Sequence, residues 1–283
     1  RHNMAMDEEF LENFHREARI IASLNHPSII KVYDIEEMFR TVFIMMELLE
    51  GRSLEEELEQ FGRMSPARAV DCLMQVCQGL AYAHNKGIVH QDIKPANIFI
   101  REDGRIKILD FGLAVPVGSE EFDFSGTVQY MSPEQILGDP VDARTDIYGL
   151  GITAYEMICG VRPYPEDDLN DLFKLHLTED IPDPGDLVQG LPPDLRGFIK
   201  KACSRDVADR YDSMTEALNA LDEVAKELNL KPDQAAKSSQ KITTVVIRYG
   251  DDQQLAMSKL LEEFSSKAMA LGVKIKAAEF EDD

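Results

Sequence analysis

The sequence lacks any apolar run long enough to cross a membrane, and it is poor in basic residues. A membrane-spanning helix needs roughly 20 predominantly apolar residues, and neither such a run nor a signal peptide is visible. Lys and Arg number 30 against 52 Asp and Glu, which gives a formal net charge of −22. This balance argues against general nucleic-acid binding and against anionic membranes, and it favours solubility. An acidic surface is more often a solvated face than a docking site for basic partners.

Cysteine is also scarce, and Cys72, Cys77, Cys159 and Cys203 do not show the spacing of a metal site. Buried, reduced thiols in a reducing compartment are the default for such a pattern, so we expect a cytoplasmic protein. Hydrophobic residues make up 44% of the 283 residues, which is enough for one large domain or two smaller ones. The chain begins with Arg1 rather than Met, and we expect its true start to lie upstream.

The most informative stretch combines two polar motifs with two apolar runs. The motifs are His90-Gln91-Asp92-Ile93-Lys94-Pro95-Ala96-Asn97 and Asp110-Phe111-Gly112. Between them, the two apolar runs are joined by Glu102-Asp103-Gly104, which predicts a β-hairpin because Asp-Gly accepts the positive φ of a tight turn. This hairpin would bring Asn97 and Asp110 to the same end, where both could reach one metal ion.

The polar groups of this stretch suit phosphoryl transfer. Asp92 can orient an attacking hydroxyl and accept its proton, and Lys94 can balance charge on the transferred group. Asn97 and Asp110 carry the oxygen ligands that magnesium ions prefer. A polar loop with a buried Phe111 is the purely structural alternative, and two motifs in order at hairpin spacing weigh against it.

The two motifs resemble the catalytic and magnesium loops of eukaryotic-type serine/threonine protein kinases. The segment Gly126-Thr127-Val128-Gln129-Tyr130-Met131-Ser132-Pro133-Glu134 resembles the end of the kinase activation segment, in a form especially close to bacterial members. The resemblance implies an α+β fold, with a mostly helical C-lobe over 51–228 and a partial β N-lobe over 1–50. It also implies ATP and Mg²⁺ as cofactors and a protein Ser or Thr hydroxyl as the acceptor.

The resemblance assigns roles to individual residues. The catalytic residues it implies are Asp92, Lys94, Asn97 and Thr127, the last bonding the catalytic Asp and Lys. The metal ligands it implies are Asn97 and Asp110. The nucleotide contacts it implies are Glu17, Met46, Glu47, Leu49 and Phe99.

Four of these residues are assigned from their position in the expected N-lobe. Residues 7–24 are spaced as an amphipathic helix, on which Glu17 matches the family's αC glutamate that pairs with a lysine of the preceding strand. Backbone groups of Glu47 and Leu49 would meet adenine in a hinge-like segment. Met46 takes the gatekeeper place, although taken alone it is better explained as core.

The resemblance over the C-lobe also implies two structural contacts. Asp146 stands where the family anchors the catalytic loop, although a carboxylate that opens a helix is, taken alone, more simply a cap. Arg210 matches the arginine that pairs with Glu134, an ion pair we expect to be partly buried. Helices are predicted over 66–86, closed by Gly87, and over 213–228; strands are predicted over 29–35 and 41–47. The first of these helices is predicted to carry an apolar face of Val70, Leu73, Met74, Cys77, Leu80 and Ala81.

The C-terminal part lies outside the kinase pattern. Residues 229–241 are polar and predict a linker. Alternation and a helical stripe over 242–283 predict a β-α-β unit that is too small to bury a core by itself. We expect it to dock on the N-lobe, on a partner or on its own copy.

Two departures from the family pattern bear on function. Gln91 replaces the usual arginine of His-Arg-Asp, so switching by phosphorylation of an activation loop that already carries three acidic residues is not expected. The family's Gly-rich loop and β3 lysine would precede residue 1, so the chain as given should be nearly inactive. The alternative to a kinase is a pseudokinase-like scaffold or binding module, but a scaffold has no need for four such polar groups in one cleft.

Overall fold

The computed structural model describes residues 23–38, 41–111, 115–116 and 128–230. By contacts, these residues form two compact units, which we describe separately. The first comprises 23–25, 30–38 and 41–49, and the second comprises the other described residues. Most of the expected 7–24 helix and linker, and all of the β-α-β unit, lie outside the described residues.

The first unit contains one antiparallel pair, β1 (Val32–Met38) and β2 (Thr41–Met46). The strand expected over 41–47 is confirmed to within one residue, but the one expected over 29–35 begins and ends three residues later. The reason is that Ile29 belongs to the second unit, where it is buried and forms a single parallel bridge with Ile108.

The second unit contains eight helices and five short strands among the described residues. The helices are α1 (Leu54–Phe61), α2 (Pro66–His84), α3 (Pro133–Leu137), α4 (Ala143–Cys159), α5 (Leu169–Thr178), α6 (Pro184–Leu187), α7 (Pro193–Ala202) and α8 (Met214–Glu227). The strands are β3 (Gly51–Ser53), β4 (Ile88–Val89), β5 (Ile98–Arg101), β6 (Ile106–Ile108) and β7 (Val115–Pro116). Single 3₁₀ turns cover Pro95–Asn97, Val128–Tyr130 and Val207–Asp209. This is the kinase-like α+β fold that the sequence predicts.

The helix ends follow ordinary capping chemistry. Ser53 and Glu56 form a reciprocal capping box at the start of α1. Ser65 caps α2, where Pro66 occupies the first helical position, and Ser213 caps α8. The predicted bounds of α2 and α8 are therefore confirmed to within two residues. None of the described helices is long and apolar enough to cross a membrane.

The core lies around α4, which contacts α2, α7 and α8 and is buried along most of its length. The apolar face predicted for α2 is wider than expected. Val70 and Leu73 are fully buried as predicted, but Met74 and Ala81 are only half-buried, while Val76 is buried instead. The cause is that α2 is covered from several sides, by α8, α4, β4 and β6.

Candidate active site

The predicted hairpin is confirmed, and it sets the spacing of the two polar motifs. Strands β5 and β6 pair antiparallel with Ile98 opposite Ile108, and Gly104 in the turn has φ 83°. Beyond the last pair, the N–H of Leu109 donates to the carbonyl of Asn97 at 2.8 Å. Asp110 follows directly with φ 49°, a left-handed conformation that turns the chain out of the strand. The hairpin therefore brings Asn97 and Asp110 to the same end.

Three of the residues expected to be catalytic meet at one carboxylate. Asn97 donates from Nδ2 to Oδ2 of Asp92 at 2.8 Å and to the carbonyl of Asp92 at 2.9 Å. The ammonium of Lys94 lies 2.7 Å from the same Oδ2. The Asp92 and Lys94 side chains are only 11% and 17% exposed. In this partly desolvated position, charge-assisted hydrogen bonds fix the orientation of the carboxylate.

The side chain of Asp146 on α4 binds the backbone of this loop. Its Oδ2 accepts from the N–H of His90 at 2.9 Å, and its Oδ1 accepts from the N–H of Gln91 at 2.7 Å. His84, at the end of α2, contacts Oδ2 through Nε2 at 2.7 Å. The helix cap is Asp142, which accepts from the N–H of Arg144. Asp146 is thus the loop anchor that the resemblance implied, not the cap.

Asp146 stays ionised although it is buried. Burial opposes ionisation, but the hydrogen bonds from His84 and from the N–H of His90 outweigh it, so the pKa of Asp146 lies below its usual range. Gly149, one turn further along α4, permits the close approach, because a Cβ there would lie 3.0 Å from the carbonyl oxygen of Ile93.

Gln91 has an unusual backbone conformation, with φ 67°. Its N–H is bound by Asp146, and its carbonyl accepts from Nε2 of Gln135 on α3 at 2.9 Å. Both peptide groups of this strained residue are therefore fixed by buried side chains. Sequence reasoning missed His84 and Gln135, because no local pattern shows which distant helix residue will meet a loop.

Phe111, the central residue of the Asp-Phe-Gly motif, packs against His90 of the catalytic loop. Phe111 is buried, and its ring centroid lies 4.5 Å from that of His90. Burial of Phe111 was expected both for a kinase motif and for the purely structural alternative. Nε2 of His90 contacts the carbonyl of Leu109 at 2.9 Å. These contacts connect the catalytic loop directly to the strand end that precedes Asp110.

The expected nucleotide contacts are placed only in part. In the first unit, Met46 ends β2 and is half-buried, Glu47 is buried and accepts from the N–H of Lys31 at 2.8 Å, and Leu49 is half-buried. In the second unit, Phe99 is half-buried on β5, opposite Lys107. Glu17 and Thr127 lie outside the described residues.

The donor set at the end of the hairpin fits a magnesium ion. The amide nitrogen of Asn97 donates to Asp92, so Oδ1 of Asn97 is the atom suited to bind a cation. Asp110 adds an exposed carboxylate. Among the described residues there is no group of three or more His, Cys, Asp or Glu side chains that could hold a metal. Mg²⁺ in phosphoryl-transfer sites needs only one or two protein ligands, because waters and phosphate oxygens complete its shell.

A buried ion pair fixes the segment that follows the second 3₁₀ turn. Arg210 binds Glu134 through two parallel contacts of 2.7 and 2.8 Å, and Thr145 donates to the same carboxylate at 2.8 Å. Burial would raise the pKa of Glu134, but hydrogen bonding and the charge of Arg210 lower it overall. The pair predicted from the sequence is confirmed, and it is more fully buried than expected.

Comparison with known proteins agrees with this geometry. The protein kinase domain family matches residues 2–221. Serine/threonine-protein kinase PknL of Mycobacterium tuberculosis is 38% identical over 230 residues, which cover 80% of this chain and 58% of PknL. Serine/threonine-protein kinase PknB of the same organism is 37% identical over 226 residues, which cover 76% of this chain and 36% of PknB. The chain thus spans only part of the length of these relatives. It belongs to the protein kinase family, among the bacterial-type serine/threonine protein kinases.

Proposed function

We propose that the protein to which this chain belongs transfers the γ-phosphoryl group of ATP to a serine or threonine hydroxyl of a protein substrate. The observation that carries the proposal is the orientation of Asp92, whose Oδ2 is bound by both Asn97 and Lys94. Oδ1 is then the oxygen suited to orient the acceptor hydroxyl and take its proton.

The other polar residues have distinct parts in this proposal. Lys94, already next to Asp92, supplies positive charge beside the acceptor oxygen. Asn97 and Asp110 would hold Mg²⁺, and the bound ion would neutralise charge on the nucleotide phosphates. Nucleotide contacts from Glu17, Met46, Glu47, Leu49 and Phe99, and a contact of Thr127 with Asp92 and Lys94, belong to the same proposal.

The test is a comparison of Asp92→Asn with Asp110→Ala in the full-length protein. Asp92→Asn keeps the shape but removes the base, so we expect phosphate transfer to fall about 10³-fold with nucleotide affinity nearly unchanged. Asp110→Ala removes a metal ligand, so it should weaken ATP binding in the presence of Mg²⁺. Transfer of labelled phosphate and nucleotide titration measure the two effects.

Asp103→Asn, in the turn at the far end of the same hairpin, serves as the matched control. Its side chain accepts from the N–H of Arg105, and an amide oxygen can do the same. This variant should keep both activities. Asp92→Asn activity within a few-fold of the wild type would refute the role of Asp92 as the base.

A further inference from the structure

A pocket of about 420 Å³ lies beside the catalytic loop in the second unit, and Pro95 of that loop forms part of its wall. Its charged lining residues are Glu55 and Glu59 of α1, Glu156 of α4, and Arg162, which follows α4. Among the described residues that line the cavity, three carboxylates thus stand against one guanidinium. We call this cavity the acidic pocket.

The three carboxylates are not neutralised by the protein. None of them forms an ion pair with a residue in the described part of the chain. Glu57, which lies between Glu55 and Glu59 in the sequence, behaves differently. It is buried and paired with Arg68 at 2.6 Å, and Arg52 approaches it at 3.6 Å. The basic residues near α1 therefore neutralise Glu57 and leave the negative charge of the pocket in place.

The two glutamates of α1 form a like-charge pair. Glu55 and Glu59 are four residues apart, so their side chains are neighbours on one face of the helix. Like charges at this spacing destabilise a helix, and both side chains are exposed. A cation bound in the pocket would relieve this repulsion.

Glu156 is the half-buried carboxylate of the pocket, and its orientation is fixed. The hydroxyl of Tyr130 donates to its Oε2 at 2.6 Å, and no residue in the described ranges donates to its Oε1. Burial raises the pKa of Glu156, and the charge of Glu55 raises it further, although Tyr130 and Arg162 act in the opposite direction. Positive charge is therefore scarce around this carboxylate, and Oε1 is the atom suited to bind a cationic group.

The remaining lining favours a long side chain with a charged end. Leu58 and Pro95 are buried apolar residues of the wall, which can pack against methylene groups. Arginine combines such a stem with a planar guanidinium that donates in several directions, so it can bind carboxylates of α1 and α4 together. Lysine offers a point charge only, which suits two separate carboxylates less well.

The pocket is within reach of a substrate bound at the catalytic carboxylate. Pro95 directly follows Lys94, whose ammonium lies 2.7 Å from Oδ2 of Asp92. Successive Cα atoms of a polypeptide are about 3.8 Å apart. A substrate whose hydroxyl meets Asp92 therefore brings the side chains of its neighbouring residues to the acidic pocket.

We propose that the acidic pocket binds an arginine side chain of the polypeptide substrate, within about three residues of the acceptor hydroxyl. Glu55, Glu59 and Glu156 are then the residues that determine this specificity. The proposal rests on the proposed kinase function, which defines the acceptor. Binding of the arginine can also be measured without phosphate transfer.

Kinetics with a peptide series provides the first test. The peptides carry one threonine, with either arginine or methionine at each of the three positions before and after it. For the wild-type full-length protein we expect kcat/KM to be about tenfold higher with arginine at one or more positions, mainly through KM. No preference at any of these positions would overturn the proposal.

Two sets of substitutions should remove the preference. Glu55→Gln combined with Glu59→Gln changes only exposed side chains, and Glu156→Gln keeps an oxygen that can accept from Tyr130. Each should reduce the preference for arginine to about twofold and leave kcat/KM for the methionine peptides unchanged. An undiminished preference in both variants would contradict the assignment of these carboxylates.

Glu56→Gln is the matched control, because Glu56 is exposed on α1 and does not line the pocket. Its capping contact with the N–H of Ser53 can be made by glutamine as well. This variant should keep the full preference. An equal loss here would mean that the general negative field attracts arginine, and the pocket would be ruled out as the site.

Charge reversal distinguishes recognition from a structural effect. Glu59→Arg should turn the preference round, so that a peptide with glutamate at the selected position becomes a better substrate than the one with arginine. A preference for arginine that persists unchanged in this variant would contradict the proposal.

Equilibrium binding separates this inference from the proposed function. Fluorescence anisotropy of labelled peptides, measured with the full-length protein and no ATP, should give a Kd about tenfold lower for the arginine peptide than for the methionine peptide. If no peptide is phosphorylated but this difference is present and is lost in the pocket variants, the proposed function fails and the pocket stands. If both peptides are phosphorylated and bound equally well, the function stands and the pocket fails.

Discussion

Asp146 accepts two backbone N–H groups of the catalytic loop, one on each carboxylate oxygen, and a third contact from His84. A neutral amide could satisfy only one of the two N–H groups, because its NH₂ would face the other donor. The function of the residue therefore depends on both oxygens and on their charge, not on the size of the side chain.

Asp146→Asn should consequently lower the free energy of unfolding by about 3 kcal/mol, since it leaves a buried donor facing a donor. It should also reduce phosphate transfer, because the loop that carries Asp92 loses its anchor. Urea unfolding and labelled-phosphate assays measure the two effects. Asp142→Asn, in the adjacent N-cap, is the matched control and should change little, because asparagine caps helices as well as aspartate does. Equal losses in the two variants would contradict the anchor role.

At the scale of residues, the sequence predicted which side chains of the loop lie together better than it predicted their partners on distant helices. Asp92, Lys94 and Asn97 were expected to act together, and they meet within hydrogen-bond distance. The partners His84 and Gln135 were not predicted, because each lies in a helix far along the chain from the residue it contacts. The two interpretations of Asp146 could be separated only by the geometry of α4 against the loop.

At the scale of elements, the pair of Glu134 and Arg210 joins α3, the start of α4 and the segment before α8. Besides the carboxylate, the guanidinium donates to the carbonyls of Arg144, Ser204 and Arg205. One side chain thus satisfies backbone groups of two loops that have no regular hydrogen-bonding pattern.

Removing either partner should therefore be costly, and removing both should cost less than the sum. Glu134→Gln and Arg210→Met should each lower the free energy of unfolding by about 3 kcal/mol, because each leaves a buried charge uncompensated. The double variant leaves no unpaired charge, so a double-mutant cycle in urea should show a coupling of about 1.5 kcal/mol or more. Additive losses would contradict the ion-pair interpretation. The exposed pair of Lys226 and Glu223 provides the control, and Lys226→Met should leave stability unchanged.

Elements with local signals were predicted well, and elements defined by distant contacts were not. The hairpin of β5 and β6 was predicted from its Asp-Gly turn, and α2 was predicted from its apolar spacing and Gly87. The helix over 213–228, observed as α8, was predicted as the last helix of the C-lobe. The first strand begins later than expected, because Ile29 of the predicted strand belongs to the second unit and pairs there with Ile108 of the hairpin. Apolar spacing alone does not reveal which partner an apolar residue will find.

At the scale of the whole molecule, regulation depends on whether the catalytic loop can respond to a phosphate. Gln91 occupies the place of the family's arginine and carries no charge to pair with one. Its N–H and its carbonyl are already fixed by Asp146 and Gln135, and its Nε2 is buried with no hydrogen bond to any described residue. The loop is therefore fixed from the side of α3 and α4 by contacts that involve no phosphate.

Activity of the full-length protein should thus survive removal of phosphate. After treatment with a phosphatase and removal of that enzyme, we expect transfer of labelled phosphate to remain within about twofold, because no charge-assisted bond to Gln91 is lost. Ser119→Ala and Ser125→Ala, in the segment outside the described residues, should be equally active. A large loss of activity on phosphatase treatment that either substitution reproduces would contradict this prediction. It would show that a basic residue elsewhere, and not Gln91, binds a phosphate on the activation loop. The fixed peptide groups of Gln91 would then be insufficient to hold the catalytic loop in its active conformation.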